Sequence, residues 1–122
     1  MVALAASVIL SFYGIYNAKN TVITTYDVII NKSFVDKSLM VVSDIHLGTV
    51  VTMADLTKLS EHAEAIAPSG IILLGDIYDE GTTQDEFDYS LQVFKILASK
   101  YPVYYIEGNH EISAYPLGVS VH

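Results

Sequence analysis

Residues 71–81 read IILLGDIYDEG, an apolar run that stops at a glycine and a group of acids. An apolar run of this length predicts a short strand buried on both faces, and Gly75 permits a tight turn directly after it. The same design occurs before it, where residues 39–48 read LMVVSDIHLG, and after it, where residues 102–111 read PVYYIEGNHE. The sequence therefore predicts three strands, each followed by a polar tip.

Helical patterns separate the three strands. After Thr52, apolar residues recur at helical spacing and predict an amphipathic helix that ends near Pro68; they are Leu56, Leu59, Ala63 and Ile66. A second helix is predicted over residues 84–99, with Phe87, Leu91, Phe94 and Ala98 on one face. Strand, helix, strand, helix, strand is typical of an α/β fold with a parallel sheet. All three tips are then expected at the carboxyl edge of one sheet, where α/β proteins bind ligands.

The first and second tips carry potential metal ligands. Asp44 and His46 offer a carboxylate oxygen and an imidazole nitrogen, a mixture that suits Mn, Fe or Zn better than Ca. Asp76 lies where a carboxylate could bridge two cations, with Asp79 close behind it. Each motif alone has a plainer interpretation, a surface loop in the first case and a turn held by Asp side chains in the second.

The third tip carries Asn109, His110 and Glu111 together. An Asn amide oxygen can bind a metal beside carboxylates, and a neighbouring His can protonate a leaving group. The requirements of a turn alone would not select these three residues after a strand. This tip is therefore the most specific of the three.

In this order the tips resemble the motifs of the calcineurin-like metallophosphoesterases, which are D-x-H, G-D-x-x-D and G-N-H-[DE]. The resemblance covers residues 39–111 and implies the βαβαβ half of an αββα sandwich. It implies that two divalent ions, with Mn favoured over Fe or Zn, activate a water for attack on phosphorus. The implied ligands are Asp44 and His46 for one ion, Asp76 for both and Asn109 for the other. It further implies that His110 is the general acid, that Asp79 orients it, and that Glu111 is structural.

Further histidines complete the metal site in that family, and the sequence does not match them. His62 falls within the first predicted helix, and His122 has no G-H-x-H around it. We therefore expect residues 39–122 to be the N-terminal portion of a longer phosphoesterase domain, and the 122 residues alone to bind metal weakly and to be poorly active.

Residues 1–18 contain no charged side chain and are mostly apolar. As a helix they would extend about 27 Å, close to the ~30 Å of a bilayer core, which predicts a membrane anchor. A buried helix is an alternative, whereas a signal peptide would need a basic start. Residues 19–38 are predicted to be a linker with one strand, TVITTYDVII, closed by a turn at residues 31–33. The arrangement resembles membrane-anchored bacterial phosphoesterases and predicts association with the bacterial cell membrane.

The composition limits the partners. The net charge of −8, with six Lys and no Arg, argues against a nucleic-acid surface. The absence of Cys excludes a thiolate metal site. We expect a phosphodiester or phosphomonoester substrate, and a lipid-linked phosphate ester is one form of it. The alternatives are a UDP-linked lipid pyrophosphate as substrate, or a phosphoesterase-like binding module without catalysis.

Overall fold

The computed structural model describes residues 2–18, 22–29 and 37–114. The chain forms two compact units, Met1–Ser33 and Phe34–His122. The elements in chain order are α1 (Val2–Ala18), β1 (Leu39–Val42), α2 (Met53–Ile66), β2 (Gly70–Leu74), α3 (Gln84–Lys100), β3 (Val103–Ile106) and α4 (Asn109–Ala114). The predicted turn at residues 31–33 and the position of His122 lie outside the described residues.

The first unit contains α1, and the hydroxyls of Ser7 and Ser11 on this helix donate to backbone carbonyls one turn earlier. Across residues 2–18, 22–29 and 37–114, no helix combines the length and apolarity needed to cross a bilayer. The structure thus gives the predicted transmembrane helix no support. Residues 22–29 are exposed and form no strand, so the predicted linker strand is absent from the part of it that the structure describes.

The second unit is built on a parallel sheet with strand order β1-β2-β3. Leu39 of β1 lies opposite Gly70 of β2, and Ile71 of β2 lies opposite Val103 of β3. The three carboxyl ends therefore meet at one edge, as the repeated pattern predicts.

The core of the second unit lies between one face of the sheet and the helices α2 and α3. Its buried apolar residues are Ile45, Leu47, Leu56, Ala63, Ile71, Leu73, Ile77, Val93 and Leu97. Three of these, Ile45, Leu47 and Ile77, belong to the polar tips rather than to strands. Burying such a side chain contributes roughly 1.5–3 kcal/mol, so these residues anchor the tips to the core.

The other face of the sheet does not match the prediction of strands covered on both sides. Apart from Ile72, which is partly buried in the central strand, the apolar residues that point to it are between 45% and 62% exposed; they are Leu39, Val41, Leu74, Tyr104 and Ile106. The reason is topological. Crossovers between parallel strands are right-handed, and two of them that advance in the same direction put both helices on one face. Among the described residues, only that face is covered.

Both helices begin with a capping box. Thr52 and Asp55 exchange side-chain and backbone hydrogen bonds at the start of α2, and Thr83 and Glu86 do so at the start of α3. Helix α2 buries Leu56 and Ala63 as predicted, with Leu59 partly buried, whereas Ile66 is exposed.

The most buried residues of helix α3 lie beside its predicted apolar face, from which Phe94 is partly buried against the core. Ser90, Val93 and Leu97 are its buried residues, and Ala98 is exposed. A serine can occupy this face because its hydroxyl is bonded to both the Tyr78 hydroxyl and the Phe87 carbonyl. Burial raises the pKa of the Tyr78 phenol, which keeps this group protonated as a hydrogen-bonding partner.

Candidate metal centre at the strand ends

Backbone hydrogen bonds join the first and second tips beyond the ends of β1 and β2. The His46 N–H donates to the Asp76 carbonyl at 3.0 Å, and the Leu47 N–H donates to the Ile77 carbonyl at 3.0 Å. Because these bonds continue the pairing of the strands into the loops, the two tips are held at a fixed separation.

The predicted ligands occupy an unusual backbone conformation. Asp44, His46 and Asp76 have φ values of 55°, 44° and 50°, in the left-handed region that side chains with a Cβ rarely adopt. In the part of the chain that the structure describes, the one other such residue is Ala67, at the C-terminal cap of α2. Such residues cost about 1–3 kcal/mol each and are concentrated at functional sites, so their position here supports a site.

His46, Asp76 and His110 bring one potential ligand from each tip to one place. Each offers a ligand atom that lies within 4.8 Å of those of the other two. The rings of His46 and His110 meet edge to face, with centroids 4.7 Å apart. Two imidazole nitrogens and a carboxylate oxygen are ligands for Mn, Fe or Zn, so these donors fit a divalent ion of that class.

His110 is held through its backbone, and its ring lies near Glu80. Its N–H donates to Asp76 Oδ1 at 3.0 Å. Its Nδ1 atom is buried without a hydrogen-bond partner, and the nearest carboxylate oxygen, Oε2 of Glu80, lies 3.4 Å away. The sequence offers no signal for Glu80, which is one of many acids in that stretch.

Asp79 lies beside a different histidine from the one that the resemblance implies. Its Oδ1 accepts hydrogen bonds from Thr49 Oγ1 at 3.0 Å and from the Gly81 N–H at 2.7 Å. Its Oδ2 lies 3.5 Å from Nδ1 of His46, and the residue is buried. A carboxylate in this position can orient the imidazole ring of His46. The role of Asp79 toward His110 stays a prediction.

Asp44 and Asn109 are not part of this cluster. Asp44 is exposed, accepts a hydrogen bond from the Ser43 hydroxyl, and is outside the group formed by His46, Asp76 and His110. Asn109 is exposed and begins α4, a short helix that the sequence did not predict. Their assignment as ligands stays a prediction from the resemblance.

The site is strongly acidic. The tips carry Asp44, Asp76, Asp79 and Glu80; among the described residues, Asp79 is paired with His46 and Glu80 with His110. Carboxylates gathered at one site repel one another, and a divalent cation would offset that repulsion.

A model of the calcineurin-like phosphoesterase family matches residues 37–120. The chain belongs to the calcineurin-like phosphoesterase family. This result confirms the resemblance that the three motifs indicated. Members of the calcineurin-like phosphoesterase family bind divalent metals, which agrees with the chemistry of the cluster. No curated protein and no solved structure matched the chain.

Proposed function

We propose that the protein is a metal-dependent hydrolase of phosphoric esters, acting on a phosphodiester or a phosphomonoester. The observation that supports this best is the convergence of His46, Asp76 and His110, one from each strand end, within 4.8 Å. A binding module without catalysis would not need these three groups together.

The ligand set follows the family motifs. Asp44 and His46 would hold one divalent ion, Asp76 would be shared, and Asn109 would hold the second, with Mn favoured over Fe or Zn. When bound, such ions acidify water and polarise a phosphate oxygen. The chain itself holds Asp76 through the hydrogen bond from the His110 N–H and holds His46 beside Asp79.

His110 is the proton donor in this proposal. Its Nδ1 atom is buried, which leaves Nε2 as the nitrogen that can reach a leaving oxygen. The backbone bond from His110 to Asp76 fixes the ring relative to the shared ligand, so the proton is delivered close to the ester.

Asp76→Asn tests the proposal, with hydrolysis of bis(4-nitrophenyl) phosphate by the full-length protein in Mn²⁺ as the assay. Replacing the shared carboxylate with an amide removes a charge from the metal site, so we expect kcat/KM to fall by about 10–100-fold or more. Asp85→Asn is the matched control, because Asp85 is an exposed residue in the first turn of α3. Absence of Mn²⁺-dependent hydrolysis by the wild-type protein would contradict the proposed function. Equal losses in the two variants would contradict the role of Asp76.

A further inference from the structure

The Glu111 carboxylate accepts four hydrogen bonds from backbone N–H groups. Its Oε2 accepts from Asp76 at 2.8 Å and from Gly108 at 2.7 Å. Its Oε1 accepts from Ile77 at 2.5 Å and from Tyr78 at 2.9 Å. Glu111 is 8% exposed, so these bonds form away from water, where they are strong.

These four bonds connect two tips that are distant in sequence. Three donors, at residues 76–78, follow β2, and the fourth, Gly108, follows β3. The three consecutive N–H groups point to one carboxylate because Asp76 has a positive φ of 50°. The carboxylate thus stabilises the strained conformation of the predicted shared ligand.

The same bonds also fix His110. The Asp76 carboxylate, whose own backbone N–H is bound by Glu111, accepts the His110 N–H. His110 is also the neighbour of Glu111 on α4. A shift of the Glu111 carboxylate would therefore move the metal ligand and the proton donor together.

We propose that Glu111 is a positioning residue for the metal centre, which sets the placement of Asp76 and His110 by binding the four amides. This inference rests on the proposed function and adds a residue that touches neither metal nor substrate. The four hydrogen bonds predict which substitutions of Glu111 disturb the placement of Asp76 and His110. Gln at position 111 has one oxygen and one NH₂ group, and the NH₂ group cannot accept from the N–H donors. Asp at this position keeps both oxygens but is one methylene shorter, so it can serve some of the donors.

The first test is amide hydrogen exchange in the metal-free protein, which does not depend on activity. In Glu111→Gln we expect exchange to quicken by about tenfold or more at residues 76–78 and 108, because a tenfold change corresponds to about 1.4 kcal/mol, close to the loss of one hydrogen bond. The amides of Ile71–Leu73 within β2 should keep their protection. Glu61→Gln is the matched control, because Glu61 is exposed on α2. Unchanged exchange at residues 76–78 and 108 would overturn the proposal.

The second test separates positioning from stability. For folded Glu111→Gln protein we expect the Kd for Mn²⁺ to rise by about 10–100-fold, with partial recovery in Glu111→Asp. A residue that only stabilises the fold would reduce the folded fraction and leave the Kd of the remaining folded protein unchanged, which would contradict positioning. If Glu111→Gln does not fold, Glu111→Asp alone decides the test: an unchanged Kd for Mn²⁺ overturns the proposal and a raised Kd supports it.

A wild-type protein that binds Mn²⁺ without hydrolysing the ester contradicts the proposed function and leaves the positioning of the metal ligand supported.

Discussion

Gly75 and Gly108 let two tips approach more closely than side chains would allow. A Cβ at Gly75 would lie 2.4 Å from the Gly108 nitrogen, and a Cβ at Gly108 would lie 2.3 Å from Oδ1 of Asp76. Gly75 also has a φ of 68°, where a side chain is strained. The glycines of the G-D and G-N motifs are thus a geometric requirement of the close contact between Asp76 and the third tip.

Gly75→Ala should therefore destabilise the second unit and displace Asp76. The positive φ alone costs about 1–3 kcal/mol, and the contact with Gly108 adds to this cost. The measurement is the free energy of unfolding in urea. Gly70→Ala is the control, since a Cβ there meets its nearest atom, Cδ2 of Leu39, at 3.4 Å. If Gly75→Ala lowers the free energy of unfolding no more than Gly70→Ala does, the close contact between the tips is not required for stability.

The sequence predicted that residues of the three strand ends lie close together, but it did not predict which side chains pair. The motifs indicated that Asp76 and His110 would meet, and the structure places them in contact. Asp79 and Glu80 are neighbours in the chain, yet one lies beside His46 and the other beside His110. Which acid meets which histidine depends on the path of the loop, which Thr49 and Gly81 fix through Asp79. Such contacts cannot be predicted from the periodicity of the sequence.

Among the elements, helix α2 is stabilised at its start by the capping box of Thr52 and Asp55. Hydrogen bonds from Lys58 and then from Thr52 lower the pKa of the Asp55 carboxyl to about 2, from an ordinary value of 3.8. Because the folded-state pKa is the lower one, the stabilisation is fully present above pH 3.8 and is lost as the pH falls toward 2.

Asp55→Asn should lower the free energy of unfolding by about 0.3–1 kcal/mol at neutral pH, as expected for loss of a charge in the first turn of a helix. The difference between wild type and variant should shrink as the pH falls from about 4 to 2. Urea unfolding at a series of pH values measures it, and Asp88→Asn, on the second turn of α3, is the comparison. A difference that stays constant down to pH 2 would exclude the charged capping interaction as its source.

The order and type of the three strands and of α2 and α3 were predictable, whereas α4 and the face of α3 that is most buried were not. Continuous apolar runs predicted β1, β2 and β3, and apolar residues at helical spacing predicted α2 and α3. On α3, the predicted apolar face was defined by large residues such as Phe87 and Phe94, whereas the most buried residues are Ser90, Val93 and Leu97. Ser90 is buried because Tyr78 supplies a hydrogen-bond partner from another part of the chain, a tertiary contact that overrides apolar periodicity.

For the second unit as a whole, the parallel sheet explains why chemistry from three distant motifs meets. The parallel strand order β1-β2-β3 aligns the carboxyl ends. Ile45 and Ile77, each next to a polar residue of its tip, are buried in the core and anchor the first and second tips. The sequence also predicted cover on both sheet faces, which the two crossovers do not provide. The apolar residues of the strands predict that both faces of the sheet are buried. The topology, however, decides which face the described helices cover.

The most direct test of the account is Mn²⁺ binding to the protein, followed by electron paramagnetic resonance of the free ion. The central claim is that the three strand ends form one metal centre, so a substitution in each should weaken the same binding. We expect the Kd for Mn²⁺ to rise by about tenfold or more in His46→Ala, Asp76→Asn and Asn109→Ala. His62→Ala, which removes an exposed histidine of α2, should leave it unchanged. Binding that is as tight in all three variants as in wild type, or weakened equally by His62→Ala, would contradict the claim.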